Sequence, residues 1–165
     1  MILDFGDREI TEIHLHHEGG GSEMDTVERI EEVALSRQDQ RFASIPYHLI
    51  VRRPVVEGDE RAEGHAENPW TVEEGRPLRL APASIKGRNA GAVAVVVAGH
   101  WHDQPLPRWA YERLAEVCAA ICRATGLTWS DIYGHGELAA TLCPGYSPAV
   151  VREMVRVALD AQAAP

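Results

Sequence analysis

The sequence is short of several things, and each shortage removes a class of protein. Lysine occurs once, at Lys86, and the 16 basic side chains are outnumbered by 25 acidic ones, for a formal charge of −9. Holding a phosphate backbone requires clustered cations, so the composition points away from nucleic acid as a partner. No run approaches the roughly 20 apolar residues needed to cross a bilayer, and no membrane span is expected. Residues 1–7 lack the basic and apolar regions of a secretion signal, which predicts synthesis in the cytoplasm. The three cysteines cannot all pair, and Cys118 and Cys122 stand one helical turn apart in an apolar segment, where packing is the expected role.

What is present fits one ordinary domain. A chain of 165 residues can bury a full core but has no room for a second comparable domain. Its 45% apolar and 25% charged residues are near the average for globular proteins. Apolar patterning predicts strands over residues 10–17, 45–51 and 91–99, the last (GAVAVVVAG) apolar enough to be buried on both faces. Residues 71–74 and 129–133 read as shorter strands. Helical spacing predicts helices over residues 24–36, 107–125 and 148–161. Gly126 stops the second, and Ser147-Pro148 opens the third. Residues 53–70 are acidic and contain glycine, and read as a surface loop or extended hairpin inserted in the core. Interleaved strands and helices make the expected fold an α/β single domain, with a central mixed β-sheet flanked by helices.

Histidine is plentiful and unevenly placed. Of eight, His14, His16 and His17 end the first strand, and His135 follows a glycine at the end of another. Strand ends are where α/β folds build their sites. A catalytic zinc takes three nitrogen or sulfur ligands at about 2.0–2.3 Å and keeps a fourth position open. His16, His135 and Cys143 satisfy that count. The residues alone also allow each of them to be an ordinary strand-end or loop residue, and His14 shares a strand face with His16.

Five motifs occur in a telling order: Leu15-His16-His17, Ile45-Pro46-Tyr47-His48, Thr71-Val72-Glu73-Glu74-Gly75-Arg76, Gly134-His135-Gly136-Glu137, and Thr141-Leu142-Cys143-Pro144-Gly145. Together they resemble the type-2 N-acetylmuramoyl-L-alanine amidases, a family that includes amidase-type phage lysozymes and peptidoglycan recognition proteins. The likeness runs from about residue 10 to residue 145. It implies a Zn2+ cofactor held by His16, His135 and Cys143, with His17 and His48 as wall or packing residues. It places Tyr47 beside the reacting water and Thr141 where family members carry lysine or threonine.

The implied activity is hydrolysis of the amide between N-acetylmuramic acid and L-alanine in peptidoglycan. The implied setting is a phage endolysin or particle-borne lytic enzyme that reaches the cell wall after release. Two departures stand out. Ser84 occupies the place of a groove-lining histidine, and Val96 the place of a strand glutamate that serves some members as general base. Proton transfer then falls to Tyr47, Glu18 or Glu137. The departures leave as an alternative a module that binds peptidoglycan without cutting it, and the acidic 53–70 insertion and the terminal helix, read as docking surfaces, leave another, a structural component of a phage tail or contractile particle.

Overall fold

The computed structural model describes residues 3–22, 25–36, 44–53 and 70–163. The inserted stretch at 53–70 falls almost wholly outside them. Five strands form one mixed sheet: β1 (Glu12–His17), β2 (Leu49–Arg52), β3 (Thr71–Glu74), β4 (Ala92–Val97) and β5 (Ile132–Gly134), in the order β3-β2-β4-β1-β5. β1 runs parallel to both β4 and β5, β2 runs parallel to β4, and only β3 is antiparallel, as an edge strand against β2.

β4 lies at the centre and all six of its residues are buried, as its uninterrupted apolar run requires of a strand covered on both faces. Alternation divides the side chains between two layers. Ile13 and Leu15 of β1, with Val93, Val95 and Val97 of β4, enter the main core beneath two helices, α2 (Arg108–Thr125) and α4 (Pro148–Ala163). Leu114, Ile121, Val151 and Val155 from those helices complete it. On the other face Val96 and Ala98 meet Ile50, Ile45 and Ile30, the last from helix α1 (Val27–Ser36). α1 begins where the Thr26 hydroxyl accepts the Arg29 N–H at 3.3 Å. α2 ends at Gly126, whose left-handed backbone (φ 80°) returns its N–H to the Cys122 carbonyl. Cys118 and Cys122 are free thiols buried in that core, as their helical spacing predicted.

Three local expectations need correction. The second strand starts at Leu49, not at residue 45, so Tyr47 precedes the strand. Its neighbours are tied from outside: the Ile45 N–H goes to the Glu31 carboxylate and the Tyr47 carbonyl to the Arg76 N–H. Residues 129–133 split into a 3-10 turn at Trp129–Asp131 and the three-residue β5, because Asp131 and Thr128 cap each other and hold the turn closed. A one-turn helix, α3 (His135–Leu138), follows β5 directly and was not legible in the apolar pattern.

His48 shows how the approach to β2 is fixed. Fully buried, it accepts the Ala94 N–H at Nδ1 (3.0 Å) and donates from Nε2 to the Leu80 carbonyl (2.8 Å), a pattern that only the neutral ring can make. Burial lowers its pKa to about 4, against the opposing hydrogen bond to the Leu80 carbonyl. The unfolded chain takes up this proton near pH 6.5 and the folded chain only near 4, so the contribution is intact above 6.5 and is lost as pH falls through that window. The loss is on the order of 3 kcal/mol for this ring. The melting temperature of metal-free protein is expected to drop between pH 6.5 and 4, with a shallower drop in His48→Gln; parallel slopes in the two proteins would contradict this origin.

Candidate metal centre

Parallel pairing brings the site residues together. His16 sits next to the C-terminal end of β1, and β5 is registered so that Leu15 faces Gly134; the chain therefore delivers His135, the next residue, beside His16. Their rings stand 4.8 Å apart, edge to face. The segment after α3 then folds back on the same strand. Gly136 donates its N–H to the Cys143 carbonyl at 2.6 Å, and a Cβ there would meet the Thr141 and Cys143 carbonyl oxygens at 2.7 and 2.9 Å, so glycine is required for this close approach. Thr141 Oγ1 accepts the Cys143 N–H at 3.2 Å and orients the cysteine. The Cys143–Pro144 bond is cis.

One donor atom each from His16, His135 and Cys143 lies within 4.8 Å of the other two, and no other group of three or more such side chains among the described residues does so. His16 Nδ1 is 3.7 Å from Cys143 Sγ. Two ligands on a tetrahedral zinc, at its ordinary bond lengths, are separated by about 3.6 Å, so this pair already has the spacing of a coordination edge. His14, the alternative on the same face, is outside the group. Two nitrogens and a thiolate sulfur suit zinc better than magnesium or calcium.

The surroundings keep these donors neutral. Burial pushes the His16 pKa well below the ordinary histidine value, with His135, His14 and His17 adding to the effect, and burial also lowers His135. The Cys143 thiol is pushed up to about 11 by burial, against an opposing hydrogen bond from the His17 backbone N–H at 3.4 Å. A bare imidazole nitrogen is ready to bind a cation; a thiol must first lose its proton.

His135 and Cys143 open on a pocket of about 260 Å³ that is also walled by His17, Glu18, Tyr47, Ser84 and Thr141, with His16 buried behind them. The Tyr47 ring lies 5.1 Å from that of His16, although Tyr47 is not on a strand. The Thr141 hydroxyl accepts from the Cys143 backbone and keeps its own proton to donate. His17 accepts the Trp101 N–H at Nδ1 (3.3 Å) and packs edge-on against His102, as a wall residue would.

The structure also separates the alternatives for proton transfer. Val96 pairs with His16 across the sheet and is buried among isoleucines, so the strand offers no carboxylate there. The Glu137 carboxylate is engaged elsewhere. It accepts the Gly134 N–H at 2.7 Å and makes two contacts of 2.8 and 2.9 Å with Arg152 of α4, which lowers its pKa. Glu18 lines the pocket and is buried, with the Gly99 N–H 3.5 Å from Oε2.

Two residues that hold the site were missed at the sequence level. Tyr146 donates its hydroxyl to the His16 carbonyl (3.1 Å) from within the core, and Arg152 fastens α3 through Glu137. The Pro144-Gly145-Tyr146 run was a signal for the first; nothing local marks the second.

Because the thiol is protonated near neutrality, zinc binding should release its proton. Calorimetry in buffers of different ionisation enthalpy is expected to show this release and an affinity that rises with pH, while Cys143→Ser should lose most of its zinc. Equal zinc content in the two proteins would remove Cys143 from the ligand set.

The comparisons agree with this architecture. The sequence model of the N-acetylmuramoyl-L-alanine amidase family matches residues 6–146. Among solved structures, the N-acetylmuramoyl-L-alanine amidase LysC from Clostridium intestinale URNW superposes with a TM-score of 0.69 at 18% identity, covering 97% of this chain and 91% of that one. The Ph2119 endolysin of the Thermus scotoductus MAT2119 bacteriophage Ph2119 gives 0.67 at 20% identity, covering 93% and 89%. A human peptidoglycan recognition protein, PGRP-IBETAC, solved with glycosamyl muramyl pentapeptide, gives 0.61 at 17% identity, covering 83% and 77%. No curated protein sequence matches the chain. With the family's sequence model spanning most of its length and the family's fold in its sheet and helices, the chain belongs to the N-acetylmuramoyl-L-alanine amidase family.

Proposed function

We propose that the protein is a zinc-dependent peptidoglycan amidase that cleaves the bond between the lactyl group of N-acetylmuramic acid and the L-alanine of the stem peptide. The observation that carries this reading is the convergence of His16, His135 and Cys143 within 4.8 Å of one another, with His135 and Cys143 lining an open pocket. Zinc held there supplies Lewis acidity toward the amide carbonyl and brings the pKa of water to about 7.

The chain's own residues do the rest. Tyr47 directs its phenol at the reacting centre, where it hydrogen-bonds the attacking water or the developing oxyanion. Thr141, which lines the same pocket, donates its hydroxyl to the same oxyanion and, unlike a lysine, adds no charge. Ser84, with its hydroxyl buried, leaves the groove wall wider than a ring would. Water adds to the carbonyl carbon, the C–N bond breaks, and a proton passes to the alanine nitrogen, leaving a lactyl carboxylate and a free amine. The endolysin among the structural neighbours supports a lytic enzyme released onto the wall, free or carried by a phage particle.

Purified cell wall incubated with the zinc-loaded protein is expected to gain free alanine amino groups; none, where a control amidase succeeds, would refute the activity. Tyr47→Phe should lower kcat about a hundredfold with little change in KM. A KM effect alone would make Tyr47 a binding residue. Val96, in place of a carboxylate, favours one second reading, a module that binds muropeptide without turnover. Calorimetric muropeptide binding with no amine release would select it.

A further inference from the structure

His14 has no part in the site so far, yet its place is unusual for a histidine. It is fully buried on the same face of β1 as His16, two residues away, with the rings edge to face at 6.4 Å. Its Nε2 lies 3.3 Å from a Glu12 carboxylate oxygen, and Glu12 is held in turn by Arg88, at 2.6 and 3.4 Å. Glu12, His14 and His16 therefore stand in a row along one strand face. Three buried nitrogens in that row have no hydrogen-bond partner among the described residues: His14 Nδ1, His16 Nε2 and His14 Nε2, the last facing the Glu12 carboxylate at 3.3 Å without hydrogen-bond geometry.

Of these, His14 Nδ1 and His16 Nε2 are complementary. A carboxylate only accepts, so Glu12 selects the His14 tautomer that is protonated at Nε2 and leaves Nδ1 as an acceptor. His16 turns Nδ1 toward Cys143 Sγ, at 3.7 Å, so a cation bound there leaves Nε2–H as a donor. A metal-bound histidine ordinarily gives its second N–H to a carboxylate, carbonyl or water, which fixes the ring and raises its basicity. A buried donor without an acceptor is destabilising.

We infer that His14 is the positioning residue of the metal centre: its Nδ1 takes the His16 Nε2–H, directly after a small ring movement or through one water, and the Arg88–Glu12 pair fixes its tautomer. It acts through His16 and touches neither metal nor substrate. The inference rests on the ligand set of the proposed function, so the experiment reads metal binding and not turnover.

Zinc affinity of the full chain is measured by competition with a chromogenic chelator for wild type, His14→Leu, His14→Asn and Glu12→Gln. His14→Leu should bind zinc about 10- to 100-fold more weakly. His14→Asn, which restores an acceptor near the Nδ1 position, should recover part of that loss. Glu12→Gln no longer enforces the tautomer and should lose several-fold; lying at the strand's start, it tests the relay even where a substitution at position 14 fails to fold. Nitrogen-15 NMR of the wild-type zinc form should find His14 protonated at Nε2 only. Affinities in His14→Leu and Glu12→Gln within threefold of wild type, or a proton on His14 Nδ1, overturn the role of His14 and leave the proposed ligand set standing. Absence of zinc binding by the wild type overturns the ligand set itself, and this inference with it.

Discussion

The parallel pairing of β1 with β5 is the constraint on which the remaining structure depends. Through Ile13 opposite Ile132 and Leu15 opposite Gly134, it sets two chain segments more than a hundred residues apart in step, so that consecutive strand ends deliver one histidine each to the same point. A slip of one residue would turn His16 into the main core and Ile13 and Leu15 out of it. The register is therefore held by burial of a whole strand face, and the site inherits its geometry from the core. Cys143 joins by a different route, through a tight return stabilised by Gly136, Thr141 and the Tyr146 hydroxyl.

The same burial defines the electrostatics. Low-polarity surroundings disfavour every charged form, so His14, His16, His17 and His48 have lowered pKa values and Cys143 a raised one. The His14, His16 and His135 rings, 4.8 to 6.4 Å apart along the row, would repel one another if protonated; kept neutral, they present lone pairs. Ion pairs stand at the rim and the far side, where Glu137 meets Arg152 and Glu12 meets Arg88. Those pairs anchor elements that bear site residues, α3 in one case and the start of β1 in the other. The result is a buried donor cluster with an open, polar pocket above it and an apolar sheet below.

Much of this was legible in the chain itself, and the reasons differ by element. The apolar run of β4, the helical spacing of α2 and the Gly126 stop are local signals, and they fell where expected. The resemblance of the ordered motifs to the amidases rests on residue types at fixed places, and the family match extends over the same stretch. β2 and β5 were misplaced at their ends because their limits are set by partners outside the strands: the Glu31 carboxylate and Arg76 backbone in one case, the Thr128–Asp131 cap in the other. Glu137 looked like a proton-transfer group until α4 placed Arg152 against it.

The sequence by itself determined the α/β class and the buried central strand, because periodicity is written along the chain, and its resemblance to the amidases named the candidate donors. Only the tertiary structure decided that His16 rather than His14 stands with His135 and Cys143, that Val96 closes the neighbouring position with hydrocarbon, and that Glu18 and not Glu137 faces the pocket. Those outcomes depend on strand register and on which helix covers which face, and both are fixed by contacts between residues far apart in the chain, which no local pattern specifies.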